Sequence, residues 1–403
     1  MSIDCRTRRH NAVRKLTRDE IFDDVLPGAA VENAALAARG ISVARAKPLA
    51  FHVDGRALTL RAEGGRLVME QGDANAVVCA DLAADALSDL VQDVKSAMGL
   101  AMESRVVLRG GGVPEWIRWE PVFRALLDGR PVHESGAIGF RDRAGQPLDL
   151  ARAFTLEDER EEVAHFLREA GFLHIRSVFE PGEMQAVEED LDRALAEASQ
   201  EDGASWWATD EDGHEQAVRV MRFHEHSSAL RKLLSDERLQ WLSRLTGDSH
   251  DGARMGAEGL VKPLRIARGL SDLPWHKDCG QGAHSYYCNG LTVGISVTGA
   301  GRETGALGVV PGSHRANIQT ARLDPALDLE PRMLETQTGD LTVHCSDTLH
   351  MSHQPRERIR KVVYTGFRLA PLPGDRLPSE ITREERAALT DVQDRIEGSV
   401  RSA

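Results

Sequence analysis

The most informative stretch of the sequence reads Pro274-Trp275-His276-Lys277-Asp278. Within it, His276 and Asp278 form an H-x-D pair. Side chains two residues apart on an extended strand point to the same face, so this pair predicts an imidazole and a carboxylate that lie side by side. Thr348-Leu349-His350-Met351-Ser352 follows much later in the chain and supplies a second histidine for the same place.

Two histidines and one carboxylate occupy one face of an octahedron and leave the other positions open. This is the ligand arrangement of non-haem Fe(II) oxygenases. Arg360 follows His350 at a distance that suits the next strand. A guanidinium group there predicts two-point binding of a carboxylate, as a dicarboxylic co-substrate requires.

Three further motifs extend the pattern: Gly305-Ala306-Leu307-Gly308-Val309-Val310-Pro311-Gly312-Ser313-His314, Gly339-Asp340-Leu341-Thr342-Val343-His344, and His350-Met351-Ser352 followed by Arg360. With the H-x-D pair, and in this order, they resemble the phytanoyl-CoA dioxygenase family of Fe(II)/2-oxoglutarate-dependent oxygenases. The small-residue strand that ends in P-G-S-H and the G-D turn before the distal histidine carry most of the likeness.

The resemblance implies a mainly β, double-stranded β-helix (a cupin-like jelly-roll) with flanking helices. It implies His276, Asp278 and His350 as iron ligands, with Arg360 and Ser352 holding the far carboxylate of 2-oxoglutarate. The cofactors would be Fe(II), 2-oxoglutarate and O2, with release of succinate and CO2. Related halogenases lack the carboxylate ligand, so Asp278 favours hydroxylation, with desaturation and ring chemistry as alternatives.

Two of these role assignments have an alternative residue. His344 competes with His350 for the role of distal ligand, and matching the family motif favours His350. Arg358 competes with Arg360, which is preferred because Val362-Val363-Tyr364 gives it a strand on which to lie.

The composition predicts a globular protein of two or three domains. The 403 residues are 41% hydrophobic and 28% charged. A net charge of −13 argues against nucleic acid or an anionic membrane surface as the main partner. We find no signal peptide pattern and no stretch long enough to span a membrane. Five cysteines without regular spacing favour free thiols in a reducing cytoplasm.

We predict five segments along the chain. They are a polar arm (1–25), a small α+β domain (26–135), a linker (136–155), the jelly-roll oxygenase (156–373) and a helical tail (374–403) with a Thr382-x-x-Glu385 capping box.

The small domain is predicted from strands at 51–53, 57–60 and 66–69, with hairpin signals at Asp54-Gly55 and Gly64-Gly65. A helix, a strand at 106–108 and a second helix ending at Gly129 follow. This order is similar to the sterol-carrier-protein-2 fold, which would imply lipid binding. A packing extension of the catalytic domain is the alternative.

Aromatic residues supply the candidates for a substrate wall: Trp275, Tyr286, Tyr287, Trp206 and Trp207. The last two lie in an acidic, glycine-containing stretch that we interpret as a lid loop, with packing beneath a loop as the alternative. The nearby His224-Glu225-His226 is interpreted as solvated strand or loop without a metal.

These residues predict an oxygenase that hydroxylates a small apolar or ring-bearing metabolite, such as an acyl, sterol-like or natural-product substrate. Two alternatives stay open: a lipid- or metabolite-binding protein without activity, and a cupin-type metalloenzyme that does not use 2-oxoglutarate.

Overall fold

The computed structural model describes residues 13–247, 256–269, 273–279 and 290–367. Its N-terminal part is a five-stranded sheet in the order β3-β2-β1-β4-β5, in which only β1 and β4 run parallel. The strands are β1 (Leu49–Val53), β2 (Arg56–Glu63), β3 (Arg66–Gln71), β4 (Val78–Leu82) and β5 (Val106–Gly110).

Both predicted hairpins are present. Asp54 and Gly55 join β1 to β2, and Gly64 and Gly65 join β2 to β3. All four residues have positive φ, between 46° and 77°. This backbone matches the twist of a tight two-residue hairpin and explains the Asp-Gly and Gly-Gly pairs.

Helices cover the N-terminal sheet, and the longest of them was not predicted. They are Leu26–Val43, Ala84–Val91, Ala97–Met102, Val113–Ile117 and Glu120–Asp128. The predicted arm is also wrong for its second half, since Glu20–Val25 is a π-helical segment that leads into Leu26–Val43. Ile21 and Phe22 are fully buried in the core of this unit, so their burial fixes the segment to the sheet.

The second part of the chain contains two antiparallel sheets of the jelly-roll type, which makes the whole fold mixed α+β. The larger has the order β10-β7-β8-β9-β17-β12-β15-β6, and the smaller has the order β11-β16-β13-β14. Their strands are β6 (Phe172–Ile175), β7 (Ser205–Asp210), β8 (Glu215–Val220), β9 (Glu258–Lys262), β10 (Ile266–Arg268), β11 (Leu273–His276), β12 (Leu291–Ser296), β13 (Leu307–Val309), β14 (Arg332–Leu334), β15 (Leu341–Cys345), β16 (His350–Ser352) and β17 (Arg360–Phe367).

The core of this part lies between the sheets and under two helices, Arg160–Ala170 and Pro181–Glu197. The first ends at Gly171, whose φ of 80° is the left-handed conformation of a helix C-terminus. The second begins with Pro181 in its first turn, where a missing N–H costs nothing. Shorter helical segments are Phe223–His226, Ser228–Leu234, Glu237–Gln240, Trp241–Arg244 and Arg302–Thr304.

The loop after β13 connects the two parts. Asn317 donates hydrogen bonds to the carbonyl oxygens of Pro121 (2.9 Å) and Arg130 (3.1 Å). On its other side, the carbonyl oxygen of Thr320 accepts the backbone N–H of Lys277 at 2.8 Å. The loop therefore joins the N-terminal unit to the segment that carries the H-x-D pair. The predicted domain boundaries themselves stay a prediction.

Two local predictions are wrong. Trp206 and Trp207 belong to β7, which pairs with β8, and not to a loop. His224-Glu225-His226 lies in a short helix and not in a strand or loop. Tyr286, Tyr287 and the predicted tail helix lie outside the described residues. Among the described helices, none combines the length and apolar character that crossing a membrane requires.

Candidate metal centre and co-substrate site

The two histidines of the predicted triad lie opposite each other on neighbouring strands. β11 and β16 are antiparallel, and their register pairs His276 with His350. Asp278 lies just beyond the end of β11, in a turn, so the H-x-D pair is not on one continuous strand as expected. The turn nevertheless returns the carboxylate to the same side as the imidazoles.

The three side chains form one compact cluster. Asp278 Oδ1 lies 3.4 Å from His276 Nε2 and 3.5 Å from His350 Nε2. One ligand atom from each of the three residues lies within 4.8 Å of the others. Such a cluster of two imidazole nitrogens and a carboxylate oxygen suits a divalent transition metal.

The backbone fixes which nitrogen of each histidine faces the cluster. His276 Nδ1 lies 2.7 Å from the carbonyl oxygen of Pro274, and His350 Nδ1 lies 2.9 Å from that of Thr348. A carbonyl oxygen only accepts, so each Nδ1 carries the hydrogen and donates it. Each Nε2 therefore has a free lone pair that faces the cluster, as the ligand atom of a metal-binding histidine requires.

The charges of the cluster agree with this assignment. Burial lowers the pKa of His350 well below its ordinary value, and the nearby His344 and His276 lower it further. For Asp278, loss of water would raise the pKa, but His350, His276 and His344 outweigh it and hold the pKa well below its ordinary value. A neutral imidazole and an ionised carboxylate are the forms that bind metal ions.

His344, the rival ligand, lies beside the cluster. Its Nε2 is 3.6 Å from Asp278 Oδ2, and its ring centroid is 4.1 Å from that of His350. It is not part of the three-residue cluster whose ligand atoms lie within 4.8 Å. The geometry therefore favours His350, as the sequence motif did.

Arg360 is buried on β17 and contacts Ser352, two residues after His350. Its Nη1 donates hydrogen bonds to the carbonyl oxygen of Gly305 (2.6 Å) and to Ser352 Oγ (3.2 Å), and its Nη2 lies 3.5 Å from the Tyr364 hydroxyl. These partners are all neutral, and no described carboxylate lies within ion-pair distance of the guanidinium. A buried cation surrounded by neutral groups suits an incoming anion. Arg358, the rival, is exposed.

Ser352 is placed differently from what the resemblance implied. Its hydroxyl donates to the carbonyl oxygen of Gly305 at 2.9 Å and accepts from both Arg360 and Lys262. A hydroxyl has one hydrogen and two lone pairs, so all three are in use. In this arrangement Ser352 orients the two cations and has no hydrogen left for a carboxylate.

Lys262 is a residue that the sequence analysis missed. It lies on β9 directly opposite Arg360 and is buried. Its ammonium donates to Ser352 O (2.9 Å), Ser352 Oγ (2.8 Å) and His353 O (2.8 Å). The sequence does contain an indication of this role, because a lysine is unusual in an apolar strand such as Leu260-Val261-Lys262.

The aromatic residues predicted to line the substrate site have different surroundings. Trp275 packs against an apolar cluster that includes Val310 and Leu349. Trp206 is partly buried, and the guanidinium of Arg219 lies 4.4 Å above its ring. Trp207 Nε1 donates to Ser205 Oγ at 3.0 Å. The described residues do not bring Trp275 together with the tryptophan pair.

Comparison with known proteins gives one family match. The sequence model of the family "Phytanoyl-CoA dioxygenase (PhyH)" matches residues 167–361, which include every residue of the cluster and Arg360. No curated protein matches the chain at a significant level.

Solved structures with a similar arrangement are distant in sequence. The epimerase SnoN, solved with Fe3+, alpha ketoglutarate and nogalamycin RO, is 19% identical, with 54% of this chain and 90% of that chain covered and a TM-score of 0.41. EctD from S. alaskensis, solved with 2-oxoglutarate and 5-hydroxyectoine, is 18% identical, with 59% and 86% covered and a TM-score of 0.44. AviO1 from Streptomyces viridochromogenes Tue57 is 19% identical, with 54% and 98% covered and a TM-score of 0.42.

Proposed function

Because residues 167–361 place this chain in the phytanoyl-CoA dioxygenase family of iron- and 2-oxoglutarate-dependent oxygenases, we propose that His276, Asp278 and His350 bind its iron. The observation that carries the proposal is the shared orientation of the three side chains. Both Nε2 atoms lie within 3.5 Å of Asp278 Oδ1, and both Nδ1 atoms donate to backbone carbonyl oxygens.

Arg360 binds the far carboxylate of 2-oxoglutarate in this proposal. Its burial supports the role, since a guanidinium shielded from water attracts a carboxylate strongly. Ser352 acts as a positioning residue that holds Arg360 and Lys262 in place. This assignment modifies the expectation that Ser352 contacts the co-substrate directly, because its hydrogen is donated to Gly305.

When bound, iron and 2-oxoglutarate supply the oxidation, in which O2 is consumed, 2-oxoglutarate gives succinate and CO2, and one oxygen atom is added to the substrate. The residues of the chain contribute position and charge. The rigid Nδ1 hydrogen bonds keep the imidazoles aimed inward, and the buried walls of β12, β15 and β17 exclude water from the reacting groups.

We propose a small apolar or ring-bearing metabolite (an acyl, sterol-like or natural-product compound) as the substrate, with hydroxylation as the reaction. Trp206 and Trp207, which are partly exposed, are the proposed aromatic wall, together with Tyr286 and Tyr287, which lie outside the described residues. Trp275 is left out of this wall because it packs against Val310 and Leu349. A cytoplasmic location is part of the proposal, and among the described residues Cys79 carries a free thiol.

Anaerobic titration of the apo-protein with Fe(II), and then with 2-oxoglutarate, tests the proposal. We expect one iron per chain and a weak visible charge-transfer band on addition of 2-oxoglutarate. Arg360→Met should weaken 2-oxoglutarate binding by about 100-fold, the cost of removing one partner of a buried charge pair. The exposed Arg358→Met is the matched control and should leave the band unchanged.

Three outcomes would contradict the proposal. Iron binding without a band in the wild type would remove 2-oxoglutarate and favour a different cupin-type chemistry. Absence of iron binding would remove the metal centre. An effect of Arg358→Met as large as that of Arg360→Met would transfer the anchor to the other arginine. Once the band is established, succinate release in the presence of candidate acyl, sterol-like and ring-bearing compounds identifies the substrate class.

A further inference from the structure

His344 is a buried side chain whose two ring nitrogens have no hydrogen-bond partner among the described residues. Its relative exposure is 1%. A buried polar group without a partner costs about 1–3 kcal/mol, so such groups are rare and usually mark a role outside packing. The iron ligands His276 and His350 do not share this feature, since each donates from Nδ1 to a carbonyl oxygen.

The nearest polar atom for which the structure gives a distance to His344 belongs to Asp278. His344 Nε2 lies 3.6 Å from Asp278 Oδ2, which is about 0.7 Å longer than a usual N–H···O hydrogen bond. Thr292 lies opposite His344 in the register of β12 and β15, and its hydroxyl donates to the same Oδ2 at 2.9 Å. Two neighbouring side chains therefore face one oxygen of the carboxylate.

The two oxygens of Asp278 consequently have different surroundings. Oδ1 faces the Nε2 atoms of His276 and His350. Oδ2 faces Thr292 and His344. A carboxylate held in this way presents one oxygen to a metal and keeps the other in hydrogen bonds, and such outer partners tune metal affinity.

We propose that His344 is a positioning residue that donates from Nε2 to Asp278 Oδ2 and, with Thr292, restricts Asp278 to binding iron through Oδ1 alone. The inference rests on the proposed iron site. It assigns to His344 a role other than that of a ligand. The Nδ1 atoms support the distinction between ligand and positioning residue. Backbone carbonyl oxygens accept from Nδ1 of His276 and His350 and so fix their tautomers, whereas Nδ1 of His344 has no such partner among the described residues.

The test compares Fe(II) affinity in variants of His344 and Thr292, measured anaerobically by competition with a chromophoric chelator. His344→Leu and Thr292→Val remove the two donors, and each should weaken Fe(II) binding by about 10- to 100-fold while one iron per chain is still bound. His344→Gln and Thr292→Ser keep a donor near the same position and should restore most of the affinity. Thermal unfolding of each apo-variant separates this effect from loss of the fold.

The double variant His344→Leu/Thr292→Val gives a second measurement. Because both donors act on one oxygen, the two effects should combine less than additively, as expected for residues in one network. The charge-transfer band of the 2-oxoglutarate complex should also shift in His344→Leu, because the bond from Asp278 to iron changes.

Specific results would overturn the inference. One is wild-type Fe(II) affinity in a folded His344→Leu variant. Another is a His350→Ala variant that still binds iron tightly and loses it only when His344 is also replaced, since His344 would then be a ligand. Failure of the proposed iron site is distinguishable from both, because the wild-type protein itself would then bind no Fe(II).

Discussion

The ammonium group of Lys277 donates a hydrogen bond to the carbonyl oxygen of Ser313 at 2.9 Å. Lys277 lies between two proposed iron ligands, and Ser313 belongs to the P-G-S-H turn. The same serine also contacts the segment of the third ligand, because its hydroxyl accepts the N–H of Leu349 at 2.7 Å. The turn thus holds both arms of the triad, which explains its place in the motif without any direct chemical role.

Replacement of Ser313 by alanine should lower the free energy of unfolding by about 1–3 kcal/mol, the cost of leaving buried polar groups unpaired. The group left unpaired is the N–H of Leu349, since the carbonyl oxygen of Val310 loses the serine hydroxyl (2.6 Å) but still accepts the backbone N–H of residue 313 at 3.2 Å. Urea denaturation of the apo-protein measures the change. Ser199→Ala, on an exposed turn, is the control and should change the value by less than about 0.5 kcal/mol. Equal stabilities of the two variants would contradict the role of Ser313.

Lys262→Met should weaken 2-oxoglutarate binding by about 10-fold, equivalent to about 1.4 kcal/mol, with little effect on Fe(II) affinity. The physical reason is that Lys262 holds the Ser352 hydroxyl that also contacts Arg360. The charge-transfer titration gives both affinities in one experiment. Lys232→Met, which removes one positive charge from an exposed helix position, is the matched control and should leave both affinities unchanged. A large loss of Fe(II) affinity with unchanged 2-oxoglutarate binding would be inconsistent with this role.

The free energy of unfolding should decrease as the pH is lowered, because His314 takes up a proton more readily in the unfolded chain. Burial lowers the pKa of His314 to about 3 from an ordinary value of 6.5. Between these values the unfolded chain binds a proton that the folded protein does not. Stability is therefore lost as the pH falls from 6.5 towards 3, by up to about 1.4 kcal/mol per pH unit. His314→Gln should reduce this slope in urea denaturation at pH 7, 6, 5 and 4. Parallel profiles for the variant and the wild type would rule out the contribution.

Asp340 should contribute stability only while it is ionised. Burial would raise its pKa, but hydrogen bonds from His174 Nε2 and from the N–H groups of Gln337 and Ser177 outweigh it and lower the pKa below 3.8. The stabilisation is present above the pKa of the unfolded chain and is lost as the pH falls through the lower folded pKa. Asp340→Asn should be less stable than the wild type at pH 7.

The same comparison at a pH below the folded pKa provides the control for Asp340. There both side chains are neutral, and the difference in free energy of unfolding should shrink. If Asp340→Asn matches the wild type at pH 7, the ionised carboxylate contributes nothing to the stability of the turn.

Gly339, beside Asp340, is required for another reason, since its φ is 86° and a Cβ would lie 2.0 Å from the carbonyl oxygen of Phe179. The G-D motif is therefore explained by backbone geometry and hydrogen bonding.

Much of the fold was predictable because its signals are local. Positive-φ pairs set the hairpins, Gly171 and Pro181 mark helix ends, and alternating apolar residues mark the strands. The prediction failed where burial depends on distant residues. Ile21 and Phe22 lie in a polar stretch, and only the sheet of residues 49–110 shows that they belong to a core. Trp206 and Trp207 looked like a loop because acidic residues and glycine surround the strand that contains them.

The sequence by itself determined the kinds of donor present and their order along the chain: His276, Asp278, His350 and then Arg360. Only the tertiary structure decided which atoms meet. The pairing of β11 with β16 places His276 opposite His350, and the pairing of β9 with β17 places Lys262 opposite Arg360. The physical reason is that ligand type is a property of single side chains. Register, burial and tautomer depend instead on hydrogen bonds between strands that lie far apart in sequence.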